Sequence, residues 1–357
     1  MNTGIHRAVL ALVLCFLAAG RAAAQEPADR QGAVREQAIV SRIVIDAHVI
    51  GPDGNPVPDL TAADFRVKID GKQAIVEAVD WLPANTPETD VSALVGIAPD
   101  EAARFRSDVP PGRLILMFFQ TDQSISRLHG FMRMAQQARL FLSSLLPTDR
   151  VAVASFDSHL KLRQDFTSDR GKIEKAIQSA IRTGPAPAPD PESRPAIARY
   201  LDAAAARKAA TPDRAIELLA RALEPIPGGK SLLFFGWGLG STVGGVSGPV
   251  ASEARDYSNA IYALARARIN LFTLDVADAD YHSLEGYLQQ ISDLTGGRYE
   301  KTHLFPSLAM ELVSKAISGR YVLWIVNSGN TRGDHTVDVS LVSRKGYVYA
   351  RQYYQDR

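Results

Sequence analysis

One carboxylate and two hydroxyls lie at alternate positions shortly after a long apolar run in this chain. The apolar run spans residues 114–119, and the polar side chains are Asp122, Ser124 and Ser126. Hard oxygen atoms at this spacing suit Mg²⁺ or Mn²⁺, which keep part of their water shell and leave room for an acidic ligand from a partner. The alternative interpretation is structural, with Asp122 and Ser124 capping the helix that follows.

A second group of residues with functional potential follows two later apolar runs. Gly236, Trp237 and Gly238 come directly after residues 231–235, and Asp275 follows the run at residues 269–274. Ligands of a doubly wound sheet bind beyond the carboxyl ends of its strands. We therefore expect these residues to share one rim with Asp122, where Asp275 is either a polar group of the rim or only the residue that ends its strand.

Trp237 allows two interpretations, and the glycine-rich segment around it allows one. An aromatic side chain at a rim is either an exposed anchor for a protein partner or a residue packed over its own sheet.

The segment 236–248 carries no Gly-x-Gly-x-x-Gly pattern and no Walker lysine. It is therefore predicted to be a mobile rim loop and not a phosphate site.

Apolar runs alternate with helical patterns through the middle of the chain. The predicted strands are residues 114–119, 151–156, 231–235 and 269–274, and the predicted helices are residues 131–145, 172–181, 197–223, 254–267, 284–294 and 308–317. Strands that alternate with helices indicate βαβ units. The pattern predicts a doubly wound, mainly parallel α/β sheet over residues 113–319.

Both flanks of this α/β region have strand patterns. Residues 40–82 and 320–357 contain short period-2 runs separated by turn residues, and a proline-rich, acidic linker at residues 83–112 follows the first of them. Neither flank has enough strands to close a core by itself. We predict that the two flanks pair into one accessory β-sandwich module.

The first residues have the three zones of a secretory signal. An apolar run at residues 8–19 is shorter than the roughly 20 residues that a membrane span needs, and small residues precede Gln25. This pattern predicts a cleaved signal peptide at residues 1–24, a flexible leader at 25–39, and export to the periplasm or the medium. An uncleaved membrane anchor is the alternative. Cys15, the single cysteine, would leave with the signal, so no disulfide is expected.

Composition and motif content exclude several functional classes. Forty basic residues against 39 acidic ones give a net charge of +1 without a basic tract, so nucleic acid is not an expected partner. The histidines are dispersed, and no Gly-x-Ser-x-Gly or His-Glu-x-x-His pattern is present. His129 lies near Asp122 in sequence but is interpreted as a surface residue. We predict that the protein is not an enzyme.

The Asp122 motif resembles the first element of the metal-ion-dependent adhesion site of von Willebrand factor type A (VWA) domains. The chain as a whole resembles the VWA-related family of exported acidobacterial proteins. The stretches that carry this resemblance are VIGPDGNPVPDLTAADFRVKIDG (49–71), LLPTDRVAVASF (145–156), QDFTSD (164–169), NLFTLD (270–275), LTGGR (294–298) and ARQYY (350–354). The resemblance implies a VWA-like, Rossmann-like fold and a role in protein binding or adhesion.

Two departures from the VWA pattern predict a degenerate metal site. Trp237 stands where these domains usually have an aspartate, and only Thr183, in a proline-rich context, is available as the later hydroxyl ligand. Losing one of two carboxylates leaves too little negative charge to hold a divalent ion well. We predict weak Mg²⁺ or Mn²⁺ binding or no cofactor, and an unidentified protein partner. The alternative is a metal-independent structural component of an envelope assembly.

Overall fold

The computed structural model describes residues 41–84, 112–121, 125–188, 193–245, 248–252, 255–327 and 333–356. The predicted signal peptide and leader, most of the linker, and Asp122 and Ser124 lie outside the described residues. Within the described ranges, no helix is both long and apolar enough to cross a membrane.

The described residues form strands at both ends and alternating strands and helices between them. The strands are β1 (Ser41–Ile50), β2 (Phe65–Ile69), β3 (Lys72–Pro83), β4 (Leu114–Gln120), β5 (Arg150–Phe156), β6 (Leu160–Thr167), β7 (Lys230–Gly236), β8 (Ser241–Gly245), β9 (Gly248–Ser252), β10 (Ile269–Asp275), β11 (Tyr299–Lys301), β12 (Gly319–Asn327), β13 (Gly333–Leu341), β14 (Tyr347–Ala350) and β15 (Tyr353–Asp356). The helices are α1 (Ile125–Ser144), α2 (Arg170–Ile181), α3 (Ala203–Lys208), α4 (Pro212–Leu223), α5 (Arg255–Arg266), α6 (Glu285–Thr295) and α7 (Pro306–Ala316).

The central sheet has six strands in the order β11-β10-β7-β4-β5-β6. All neighbouring pairs are parallel except β5 with β6, which is antiparallel. Along the chain, strands are added first on one side of β4 and then, from β7 onward, on its other side. This reversal makes the carboxyl ends of β4 and β7 the switch point where doubly wound folds bind ligands. The predicted doubly wound, mainly parallel sheet is confirmed.

Helices cover both faces of the central sheet. Successive side chains of a strand point to opposite faces. In β4, Leu116 and Phe118 therefore pack in the core that α4, α5 and α6 complete. Met117 and Phe119 pack in the opposite core with α1, α2 and α7. Every residue of β4 is buried, which explains why the sequence shows an unbroken apolar run there.

The two ends of the described chain form one antiparallel module, as the sequence predicts. Its seven strands follow the order β14-β1-β12-β3-β2-β13-β15, so strands from the two flanks are interleaved within one sheet. Strands β13 and β14, near opposite ends of that order, also contact each other, so the sheet curls around an apolar core. Tyr321 and Leu323 of β12, the strand between β1 and β3, are fully buried in it.

Local structure differs from the sequence prediction between residues 197 and 252. The single helix expected over 197–223 is instead a 3-10 turn, Ile197–Arg199, followed by α3 and α4. Pro212 cannot sit inside a helix, and it begins α4 with Thr211 Oγ1 accepting from the Arg214 amide at 3.1 Å. The segment 236–248, predicted to be a loop, contains β8 and the first residue of β9, which pair as a hairpin.

Candidate functional site

Gln120 joins the two loops that leave the switch point of the central sheet. Its Oε1 accepts from the amides of Trp237, at 3.1 Å, and Gly238, at 3.3 Å. This contact follows from the register of β4 and β7, which places Phe119 opposite Phe235. The structure therefore brings Gln120 and Thr121, at the end of β4, and the start of the glycine-rich segment to the same edge. Gln120 was not singled out from the sequence, because a buried glutamine that ends an apolar run carries no motif.

Gly236 and Gly238 are required by close packing at this edge. A Cβ on Gly236 would lie 2.3 Å from the Phe234 ring and 2.6 Å from Gln120 Oε1. A Cβ on Gly238 would lie 2.4 Å from Leu284 Cδ1. The glycines thus let the strand end and the following turn approach their neighbours, which is a packing role.

Trp237 is half-buried over its own sheet. The Phe131 ring of α1 meets it edge-on at a centroid distance of 6.0 Å, and the Arg127 guanidinium lies 4.2 Å from the centroid of the indole. A cation over an indole face is a favourable arrangement. This geometry corresponds to the second of the two sequence interpretations, in which Trp237 packs on the protein. It also makes Trp237 the support for the first turns of α1.

Asp275 is 3% exposed and holds three segments together at the end of β10. Its carboxylate accepts from the Ala277 amide at 2.9 Å, from His282 Nε2 at 2.7 Å and from the Tyr299 hydroxyl at 2.9 Å. Burial and the neighbouring carboxylates raise the pKa of Tyr299, so this hydroxyl stays a donor. Sequence reasoning found Asp275 but neither partner, since they lie 7 and 24 residues away.

The His282–Asp275 pair does not form a hydrolase triad with the side chains around it. Within the described part of the chain, the His282 ring bonds to Asp275, and no hydroxyl nucleophile is bonded to the ring. His129, the other histidine considered, lies exposed on α1. These contacts give Asp275 a positioning role for the segments that follow β10.

Among the described residues, no three acidic, histidine or cysteine side chains cluster where they could hold a metal ion. At the position where the resemblance calls for a second carboxylate, the Trp237 indole lies under the Arg127 guanidinium, whose positive charge opposes a bound cation. Ser126 lies in the first turn of α1, and its side chain is outside the described atoms.

Thr183 follows α2 with a left-handed backbone, at φ of 55°. The next two carbonyls, of Gly184 and Pro185, accept from Arg163 Nη1 at 2.6 and 2.9 Å. Arg163 Nε also donates to Ser155 Oγ at 2.7 Å, near the carboxyl end of β5. Thr183 therefore lies toward the same edge of the sheet as Gln120, on the β5 side.

An apolar surface lies beside Trp237, and we call it the rim patch. Its members are large exposed side chains from the first half of α1 and from the beginning of α7: Leu128 (38% exposed), Met132 (59%), Leu304 (67%), Phe305 (65%) and Leu308 (50%). The two helices pack against each other. Asp278 accepts from Arg133 of α1 and from His303 Nδ1, which ties the two halves of the patch together. Contiguous exposed apolar side chains are typical of interaction surfaces.

Asp213 attaches the glycine-rich segment to α4. Its Oδ1 accepts from the Gly240 amide at 2.8 Å, and the residue is 1% exposed. Burial raises the pKa of Asp213 to about 6, with a further contribution from Asp256, although the Gly240 amide opposes the shift. Gly240 has a φ of +75°, and a Cβ there would lie 2.9 Å from the Tyr287 ring. A buried carboxylate therefore positions the rim segment that follows Trp237.

The Asp213→Asn variant is expected to remove part of the pH dependence of stability. Because the folded-state pKa of about 6 lies above the ordinary 3.8, this carboxyl stabilises the folded chain most below pH 3.8 and loses that contribution as the pH rises through 6. At 1.36 kcal/mol per pKa unit, the loss amounts to about 2–3 kcal/mol. Urea unfolding of both proteins at pH 4.5, 6 and 8 measures it. We expect the variant to gain stability relative to wild type as the pH rises, and parallel pH curves would contradict the assignment.

Comparisons with known proteins bear on the fold. No protein-family model matches the chain, and no curated protein matches it in sequence. Among solved structures, a von Willebrand factor type A protein from Catenulispora acidiphila is 12% identical, with 84% of this chain and 74% of that chain covered and a TM-score of 0.40. Conserved hypothetical protein BatB from Bacteroides thetaiotaomicron is 16% identical, with 57% of this chain and 97% of that chain covered and a TM-score of 0.39. The SpRpn10 VWA domain is 12% identical, with 57% of this chain and 96% of that chain covered and a TM-score of 0.34. VWA domains are thus among the structures similar to this chain, as the sequence resemblance predicts, and the likeness concerns the fold alone.

Proposed function

We propose that this protein is an exported, VWA-like binding module that holds a protein partner on the rim patch without a divalent ion. The observation that carries the proposal is the exposure of five large apolar side chains at one place, between 38% and 67% for each. Surfaces of this kind, when contiguous, mark contacts with partners. The residues 1–24 support export, because they have the zones of a signal peptide.

The rim patch is rigidly supported from below, which suits a recognition surface. Helix α1 places Phe131 against Trp237, while Leu128 and Met132 of the same helix remain exposed. Gly130, between them, packs directly on the Val276 carbonyl. A fixed apolar surface loses little conformational entropy when a partner covers it. The patch is therefore prepared for binding in the free protein.

The residues around the switch point support a metal-independent and non-enzymatic mode of binding. Trp237 and Arg127 occupy the place at which a second metal carboxylate would be needed. Asp275 directs its oxygens to Ala277, His282 and Tyr299. In this proposal the VWA scaffold is retained, its metal site is degenerate, and binding energy comes from apolar contact.

Replacing Phe305 by serine is expected to reduce partner capture about tenfold or more, because truncating an exposed aromatic anchor at an interface centre typically costs about 2 kcal/mol. The mature chain, immobilised, is exposed to envelope extract and culture medium of the producing organism, and captured proteins are quantified by mass spectrometry. Leu140→Ser is the matched control, since Leu140 is 57% exposed on α1 but lies eight residues beyond Met132. We expect some proteins to be captured by the wild type and by the Leu140→Ser control but not by Phe305→Ser.

Two outcomes would overturn the proposal. If Phe305→Ser and Leu140→Ser retain the same proteins in equal amounts, the rim patch is not the contact surface. If a chelator abolishes capture by the wild type and Mg²⁺ restores it, binding depends on a metal and the degenerate-site interpretation is wrong.

A further inference from the structure

A groove lies along the outer side of β6, at the edge of the central sheet farthest from Asp275. Its volume is about 390 Å³, within the range of sites that hold ligands. Its walls are β6, residues 186–188, and α3 with the residues just before it. None of the rim-patch residues lines it. The groove is therefore a separate feature from the surface assigned above.

Strand β6 offers backbone groups to this groove. It is the last strand in the sheet order and pairs only with β5 among the described strands. In the described ranges, no backbone hydrogen bond links β6 to a segment outside that pair. The 3-10 turn before α3 instead reaches β6 through a side chain, because Asp165 accepts from the amides of Ile197 and Ala198 at 2.8 and 2.9 Å. An edge strand of this kind is a template for an added strand.

The groove combines apolar walls with positive charge. Leu160, Leu162 and Leu201 line it together with several alanines. His159, Lys161, Arg163 and Arg207 also line it, and Lys161 is paired with Asp157 at 2.6 Å. The single carboxylate of the lining, Asp165, is already bonded to three backbone amides.

Arg163 is not accessible to a ligand, because its side chain is fully buried. Its guanidinium donates to Ser155 Oγ and to the carbonyls of Gly184 and Pro185. Arg207 is exposed in the last turn of α3. The charge complement of such a lining is an acidic group.

We propose that this groove binds an extended peptide segment of a partner protein, added as a strand to the outer edge of β6, with apolar side chains on one face and acidic ones on the other. In strand addition, main-chain hydrogen bonds provide affinity and alternate side chains provide specificity. The apolar side chains of the peptide pack on the leucines of the groove, and its acidic side chains lie toward the exposed Arg207. This site goes beyond the rim patch and does not depend on it.

Binding of a fluorescent octapeptide of alternating valine and glutamate to the mature chain tests the proposal by anisotropy. We expect Arg207→Glu to weaken binding about tenfold, since reversing a charge beside an acidic ligand replaces attraction with repulsion. Lys208→Glu is the matched control, because Lys208 is an equally exposed neighbour in α3 that does not line the groove. This control should leave affinity within about twofold.

Two altered peptides separate strand addition from simple charge attraction. A peptide with lysine in place of glutamate, and one N-methylated at alternate residues to remove backbone donors, should each bind at least about tenfold more weakly. Three results would overturn the proposal. The N-methylated peptide could bind as tightly as the unmodified one, or Arg207→Glu and Lys208→Glu could weaken binding equally. The third is that the valine–glutamate peptide does not bind at concentrations up to about 1 mM.

Sedimentation of the free chain tests the competing occupant, a second copy paired through β6. The proposal is overturned if the free chain is a dimer that persists in Arg207→Glu and that the peptide dissociates. The groove would then be a site of self-association. The Phe305→Ser variant should bind the peptide as wild type does, so failure of one site is distinguishable from failure of the other.

Discussion

Replacing Asp46 by alanine is expected to lower the free energy of unfolding by about 3–5 kcal/mol, the usual cost of removing one partner from a buried ion pair. Asp46 of β1 is 5% exposed and joins the β module to the α/β unit. Its carboxylate accepts from Arg268 Nε and Nη2 at 2.9 and 2.8 Å and from Arg320 Nε at 3.1 Å. Arg351, which is half-buried, also attracts this carboxylate. Without Asp46, the three arginines would lose the negative charge that they share.

Urea unfolding at pH 7 measures this loss, with Asp53→Ala as the matched control. Asp53 is exposed in the turn after β1, and its side chain bonds only to Asn55. Its replacement should change the stability much less than the replacement of Asp46 does. A loss of similar size for both variants would contradict the role assigned to Asp46.

The pH dependence of the Asp46 effect has a definite sign. Burial raises the pKa of Asp46, but the adjacent Arg268 and Arg320 outweigh burial and hold that pKa well below its usual value. A depressed carboxyl pKa contributes stability that is present above the unfolded value, 3.8, and is lost as the pH falls below it. The gap between wild type and Asp46→Ala should therefore narrow below pH 4.

Replacing Gly130 by alanine is expected to destabilise the protein by about 2–3 kcal/mol, because overpacking a close contact forces backbone or side-chain shifts. A Cβ on Gly130 would lie 2.1 Å from the Val276 carbonyl oxygen. The clash would displace the first half of α1 from the end of β10. Since Leu128 and Met132 lie on that half, we also expect weaker capture of the partner.

Gly286→Ala is the control for Gly130→Ala, and we expect it to change stability in the opposite direction. Gly286 lies near the start of α6, and its Cβ would meet no heavy atom within 4 Å. Alanine there should stabilise the helix by up to about 1 kcal/mol. Thermal unfolding of both variants measures the difference. Equal melting temperatures would show that α1 tolerates the added methyl group.

The amino-acid sequence by itself determined the secondary structure where burial is complete. Strands β4, β7 and β10 are buried along their whole length except for one residue, so unbroken apolar runs mark them. Strand β6 was missed because its face toward α2 carries Arg163 and its edge is open, which breaks both the apolar run and the alternation. The pairing of the two ends into one module was also predictable, since neither end has enough strands to bury its apolar face.

Which side chains form the functional surface was decided only by tertiary packing. Leu128, Phe131, Met132 and Met134 are all large apolar residues within two turns of α1, yet Phe131 and Met134 are buried and the other two are exposed. The helical spacing of Phe131 and Met134 predicts that these two lie on the buried face. It does not show that Leu128 and Met132 form a surface with residues at the start of α7, because that depends on how the two helices pack. Polar partners are likewise far apart in the chain, as Gln120 and Trp237 show. Local sequence patterns predict secondary structure, because they depend on residues that are neighbours along the chain. Burial and charge pairing depend on segments that only folding brings together.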